Sequence, residues 1–249
     1  MAAVVDLRDG DLRRPRKAKG AGRPASLDPG LRVVPVTDGS LWAAAESLVY
    51  EVYREVGYCA PSPRKRVEEL QPWADVSHFH VVVDESDQVL GAVRTILGGY
   101  EDLPIGQFER TDQTHEDPLC ELSSLAIRPG ARSTGVLEHL FRAGWLEAAR
   151  SKATALVSVI DGWLLEVFND SYGMPFVPIG AGRHYMGGDV VPAALPLVRS
   201  MYEEVYEVNP EFIRWNFELV EPSEFAVLDL PIILTDPVTP APSETPANV

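Results

Sequence analysis

Cysteine is nearly absent: Cys59 and Cys120 are the two in 249 residues. They show no close metal-ligand spacing, and so few predict free thiols in the cytoplasm rather than a disulfide framework. Long apolar runs are missing too. No stretch reaches the ~20 residues that span a bilayer, and the N-terminus is charged rather than signal-like, which argues against integral membrane association. Basic residues are scarce, 22 against 37 acidic ones, and a formal net charge of −15 argues against nucleic acid as the main partner. A GxSxG nucleophile elbow is lacking. His78 and His80 alternate along one strand, but no nearby cysteine or third histidine completes a zinc set, so no metal site is expected.

What is present is a soluble, core-forming composition, 45% hydrophobic and 24% charged. The charge is uneven. Residues 1–32 hold eight basic and four acidic side chains, a net +4, so residues 33–249 carry −19. Residues 1–30 have almost no apolar periodicity and read as a basic disordered tail. Residues 236–249 are rich in Pro, Thr and Ser and read as a second flexible tail. One domain is expected over residues 31–235.

Within it, Leu31–Val36 reads as a strand. Asp38 or Ser40 opens a helix whose Leu41, Ala44, Ala45, Leu48, Val52 and Val56 recur at helical spacing, with Gly57 ending it. Residues 59–76 read as a loop with a helical turn at Arg64–Leu70. Phe79–Val83 and Val89–Leu97 read as antiparallel strands around the acidic turn Asp84–Asp87. Gly98–Pro118 is irregular and long for a connection, a length typical of binding loops and lids.

A strand over Leu122–Ile127 then meets Pro129-Gly130, and an amphipathic helix follows Ser133-Thr134-Gly135. Ser133 or Thr134 is expected to cap that helix, whose N–H groups and dipole would suit a phosphate. Ala155–Ile160 reads as a buried strand, with Asp161 capping a helix to about Ser171. Pro175–Ile179 reads as a strand, a short one is expected near Val190, and Ala193–Val208 and Pro210–Leu219 read as helices. Strands that first meander and later connect through helices make the class mixed α/β with one central sheet.

This order of elements resembles the GNAT acyltransferase fold, a mostly antiparallel sheet flanked by helices. Arg132, Ser133, Thr134 and Gly135 resemble that family's Q/R-x-x-G-x-G/A acyl-carrier motif, with Leu137 where a small residue is usual. Within the fold, the chain is most similar to the branch of N-acyl amino acid synthases and acyl-homoserine-lactone synthases. The matches run over residues 45–195: the aromatic helix end YEVYREVGY (50–58), Asp75 before the second strand, Gly91 and Arg94 as Gly-x-x-Arg, Leu103-Pro104, Glu121 and Pro178-Ile179-Gly180. Ser124 stands where the branch usually has an arginine. Leu48 or Val49 stands where another arginine often precedes the aromatics.

The resemblance implies an N-acyltransferase with no permanently bound cofactor. Its donor would be an acyl thioester on coenzyme A or an acyl carrier protein, and its acceptor the amine of a small molecule such as an amino acid. Glu121 would take the amine proton. Backbone N–H groups near Leu125 or Ala126 would stabilise the oxyanion. Asp75 and Arg94 would contact substrate, Arg94 either holding an acceptor carboxylate or pairing with Asp75 or Glu121. Arg132, Ser133, Thr134, Gly135 and Leu137 would hold the donor phosphate. Leu156, Val159, Trp163 and Leu164 would line the acyl pocket or the core. Asn169 occupies the site of the tyrosine acid found in acetyltransferases, leaving Tyr172 or Tyr185 as substitutes. Two alternatives stay open: an acetyl-coenzyme-A-dependent N-acetyltransferase, and a non-catalytic module that binds acyl thioesters.

Overall fold

The computed structural model describes residues 24–111 and 115–231. Most of the basic segment 1–30 and all of 236–249 lie outside those residues. The chain runs β1 (Arg32–Pro35), α1 (Gly39–Glu55), a 3-10 segment (Glu68–Val76), β2 (Ser77–Val83) and β3 (Val89–Gly98). Two short 3-10 turns, Tyr100–Asp102 and Pro104–Gln107, lead to β4 (Leu119–Ile127) and α2 (Val136–Arg150). Next come β5 (Ala155–Asp161), α3 (Gly162–Ser171), β6 (Val177–Pro178), β7 (Arg183–Tyr185) and β8 (Gly188–Pro196). Helices α4 (Arg199–Val208) and α5 (Pro210–Phe217) close the described chain.

The sheet order is β1-β2-β3-β4-β5-β8-β6, with β7 on β8. Every pairing is antiparallel except β4–β5. That parallel pair meets at Cys120↔Leu156 and Glu121↔Val157 and then parts. The ladder edge of β4 facing β5 is therefore open beyond Glu121. Ser158 Oγ, donating to the Leu122 carbonyl at 3.1 Å, spans the start of the gap.

Two cores follow from the two faces. On one, Ala45, Leu48, Val49, Val52 and Tyr53 of α1 pack against Phe79, Val81, Ala92 and Ile96. Asp38 caps α1 as expected, accepting from the Ser40 and Leu41 N–H groups at 2.9 Å each. On the other face, Leu140, Phe141, Trp145 and Ala148 of α2 join Leu164 and Phe168 of α3 and the aromatics of α4 and α5. Gly91 makes the α2 contact possible, since a Cβ there would lie 2.5 Å from Val136 Cγ1. Its place in the Gly-x-x-Arg pattern thus has a packing cause.

Alternation along β4 fails at one point. Leu119 faces the α1 core and Cys120 and Leu122 the α2 core, yet Leu125 and Ile127 also face α2 while Ala126 faces α1. Even and odd positions have exchanged faces, which requires one extra residue. The register supplies it: Arg94 opposes Ser124 but Thr95 opposes Leu122, leaving Ser123 in a β-bulge.

The helix expected from Ala193 is corrected. Residues to Pro196 belong to the nine-residue strand β8, which pairs along all of β5. Pairing with a buried strand outweighs the helix preference of Ala193, Ala194 and Leu195. The helical turn expected at Arg64–Leu70 lies later, as the 3-10 segment Glu68–Val76. Ala44, expected on the buried stripe of α1, is exposed.

Candidate active site

Glu121 is fully buried where β4 and β5 part, with relative exposure of 0%. Its Oε2 accepts a 2.8 Å hydrogen bond from the Ile105 N–H. Residues 98–111 deliver that donor, held in place by specific hydrogen bonds rather than running as a slack connection. Asp117 accepts from the Tyr100 N–H at 3.1 Å, and the Trp73 indole donates to the Asp102 carbonyl at 2.7 Å. The Tyr100 hydroxyl donates to the Phe108 carbonyl at 3.1 Å, and the Thr111 N–H to the Ile179 carbonyl at 2.8 Å. Burial pushes the Glu121 carboxyl above the ordinary carboxylate range, while the Ile105 N–H and the charge of Arg94 pull it back. A carboxyl of raised proton affinity is what a general base requires.

Arg94 is 1% exposed in β3. It donates from both Nη atoms to the Leu70 carbonyl at 3.3 Å and from Nη2 to Ser123 Oγ at 3.4 Å. Burial lowers its pKa to about 10, and the guanidinium stands 5.8 Å from the Phe79 ring centre. No ion pair joins it to Glu121 or Asp75, which corrects the expected pairing; carbonyl and hydroxyl oxygens solvate it instead. Its Nε and the Ser124 Oγ are buried without partners among the described residues. Both line a narrow cleft with Glu46, Val49, Gln71 and Phe79. Ser123 and Ser124 reach this face together because of the bulge. Asp75 lies apart, exposed on the 3-10 segment.

Leu125 and Ala126 stay in the β3 ladder, opposite Val93 and Ala92, with side chains on opposite faces. Their strand's other edge is the open one. At the turn before α2, neither Ser133 nor Thr134 caps the helix, a second correction. Gly135 is the N-cap, in a left-handed conformation with φ of 77°. Thr134 Oγ1 instead donates to the Ala131 carbonyl at 2.7 Å, and the Asp28 N–H donates to the Thr134 carbonyl at 3.2 Å. The carbonyls of Ala25 and Ser26 lie so close that a Cβ on Gly135 would be 2.9 and 2.6 Å from them. Arg132 and Leu137 flank the turn, both half-buried.

The four residues expected along the acyl pocket do not share a face. Leu156 and Leu164 belong to the α2 core, Trp163 packs at its margin, and Val159 faces α1. A narrow apolar crevice of about 20 Å³ instead lies between α2, α4 and α5, lined by Phe141, Trp145, Val205, Ile213, Asn216 and Phe217 among others. The α4 and α5 side chains in it carried no sequence signal beyond ordinary amphipathic helices.

Asp161 does not cap α3 through its side chain, the third correction. It is 5% exposed and accepts from the Tyr58 hydroxyl at 3.1 and 3.0 Å. Both residues face the α1 side of the sheet, as Glu121 does, and sequence reading missed the pair because 103 positions separate them. Asn169 holds the turn after α3 by bonding the Phe176 carbonyl and N–H at 2.9 and 3.1 Å.

This geometry agrees with comparisons to known proteins. Residues 44–197 match the family model described as N-acyl amino acid synthase FeeM. Sequence comparison with curated proteins finds no significant match. Among solved structures, the N-acyl amino acid synthase FeeM from uncultured soil microbes superposes with a TM-score of 0.54 at 15% identity, covering 72% of this chain and 94% of that one. BjaI, a CoA-dependent acyl-homoserine lactone synthase solved with SAM and isopentyl-CoA, gives 0.57 at 12% identity, covering 72% and 89%. The acyl-homoserine lactone synthase LasI gives 0.53 at 14%, covering 72% and 95%. The sheet, its parted β4–β5 pair and its flanking helices are those of the GNAT fold, and the chain belongs to the FeeM N-acyl amino acid synthase family of acyltransferases.

Proposed function

We propose that the protein moves a long acyl group from a carrier-protein thioester to the amine of a small molecule, an amino acid being the favoured acceptor. The observation that carries this is Glu121, a buried carboxyl with raised proton affinity at the point where β4 and β5 part. The donor's thioester lies in that gap, its pantetheine arm along β4. The amine attacks the carbonyl carbon, Glu121 takes its proton directly or through one water, and N–H groups on the open edge of β4 near Leu125 and Ala126 receive the oxyanion. Arg94 and Ser124 border the α1-side cleft through which the acceptor approaches.

Two features favour a carrier-bound donor over coenzyme A. The carbonyls of Ala25 and Ser26 crowd the turn at Gly135, and Leu137 stands in the first turn of the helix it opens, which favours a donor without the adenosine pyrophosphate. The apolar side chains beneath α4 and α5, which would have to part to admit a tail, suit a hydrocarbon chain better than acetyl.

The test is mass spectrometry of lipid extracts from cells overproducing the protein, followed by assay of the purified chain with acetyl and long-chain thioesters on both carriers. N-acyl amino acids, formed fastest from long-chain carrier thioesters, are expected. Preference for acetyl-coenzyme A would replace this reading with an N-acetyltransferase. Thermal stabilisation by thioesters without product in any amine screen would make the protein a binding module.

A further inference from the structure

Breaking a thioester leaves a thiolate, and a site that supplies only a base leaves that charge unprotonated. The acid must stand across the donor from the base. Tyr172 and Tyr185 are separated on this point by their hydrogen bonds. Tyr172 donates its proton to Glu138 Oε1 at 3.0 Å on the α2 side, and that carboxylate together with burial holds the phenol well above its ordinary pKa. Its proton is committed.

Tyr185 has the reverse arrangement. Its oxygen accepts a 3.0 Å hydrogen bond from Gln107 Nε2, and its own proton has no acceptor among the described residues. It sits on β7, carried by β8 on the β5 side of the gap. The turn Pro104–Gln107 ties it to the base: Ile105 at its middle holds Glu121, and Gln107 at its end holds Tyr185. The ring is fixed by Phe108 at 5.3 Å between centroids, and the Arg183 guanidinium lies 4.2 Å from the Phe108 ring and 5.6 Å from that of Tyr185. Half-burial, with the charge of Glu121 adding to it, raises the phenol and keeps it protonated at neutral pH.

We propose that Tyr185 is the proton donor to the leaving sulfur. This rests on the acyl-transfer reading above and adds its missing half. The amine nitrogen bonds to the carbonyl carbon, and its proton passes to Glu121. The tetrahedral adduct expels sulfur as the C–S bond breaks, and sulfur takes the Tyr185 proton. Glu121 then returns its proton through water to the Tyr185 phenolate, restoring both groups and leaving amide and free thiol.

The test compares wild type with Tyr185→Phe on two long-chain donors, a pantetheine thioester and a thiophenol thioester, whose aryl thiolate leaves without help. With the pantetheine donor, kcat should fall on the order of 100-fold at little-changed KM. With the thiophenol donor the fall should be about threefold or less, because no acid is needed. Equal losses on both donors, or none on either, would overturn the assignment. Wild type alone gives a second measure should the variant not fold: rates across donors of graded thiol acidity stay nearly flat if sulfur is protonated, and a steep dependence overturns the proposal. Wild type inactive with every donor would instead sink the acyl-transfer reading itself.

Discussion

The sheet has two halves, joined at two residue pairs, and they treat polar groups differently. In the half from β1 to β4, charge is buried deliberately: Arg94 at 1% exposure and Glu121 at 0%, each held by backbone or hydroxyl groups rather than by each other. In the half from β5 to α5, Asp161 apart, the space beneath the helices is filled with Phe168, Phe176, Phe212, Trp215 and Phe217, packed against Phe141 of α2. Burying an ion costs several kcal/mol even after relaxation, so the first half gives up stability where the second accumulates it. Proton transfer needs the former, and holding an apolar chain needs the latter.

The sharpest way to break the contrast is Glu121→Gln. Turnover should fall about 10²–10⁴-fold, with donor binding, read by thermal shift, retained; full turnover would remove Glu121 as the base. The same variant tests whether stability was sacrificed. The folded carboxyl binds its proton more tightly than an unfolded one, so its contribution to stability is complete below the unfolded pKa of about 4.3 and is lost as pH rises toward the folded value. Gln is uncharged throughout and can still accept from Ile105. The variant should therefore melt above wild type at pH 7 and lose that advantage near pH 4. In wild type, kcat/KM should rise with pH through the same raised pKa and then level off.

The two halves were unequally legible in sequence. Period-two alternation gave β2 and β3, the 3.6-residue stripe gave α1 and α2, and Asp38 announced its helix, because each signal is local. The Glu121 environment was not local. The 3-10 turns over residues 100–107 have no periodic pattern, and the Ser123 bulge shows only in register against β3. Arg94 invited a carboxylate partner and found the Leu70 carbonyl, a backbone group no side-chain pattern reveals. Asp161 read as a cap because capping is a short-range rule, yet its hydroxyl partner stands 103 positions away in sequence. Strand β8 misread as helix for a related reason: Ala-Ala-Leu prefers helix until β5 offers a partner.

A smaller effect tests the second half as a chain-binding region. Val205 on α4 is 0% exposed and borders the crevice. Val205→Ile should fill it and cut kcat/KM for long-chain donors about tenfold, leaving short-chain donors near wild type, since one excluded methylene is worth roughly 1–3 kcal/mol. Loss on all chain lengths alike, with an unchanged melting curve, would mean that the crevice does not receive the acyl tail.

The smallest effect concerns Asn216, a polar side chain in that crevice. Asn216 is 3% exposed; its Nδ2 bonds the Phe212 carbonyl at 3.1 Å within α5, while its Oδ1 is buried without a partner among the described residues. A buried acceptor left unsatisfied costs about 1–3 kcal/mol, and the carbonyl bond returns about 1. Leucine has nearly the same size, removes the orphan oxygen and is a better helix former. Asn216→Leu should therefore raise stability by about 1 kcal/mol in urea unfolding, with activity toward short-chain donors unchanged. Destabilisation would show that Oδ1 is satisfied in solution by a bound water. The second half would then also hold a polar group for a purpose, and the division between a chemical half and a binding half would need redrawing.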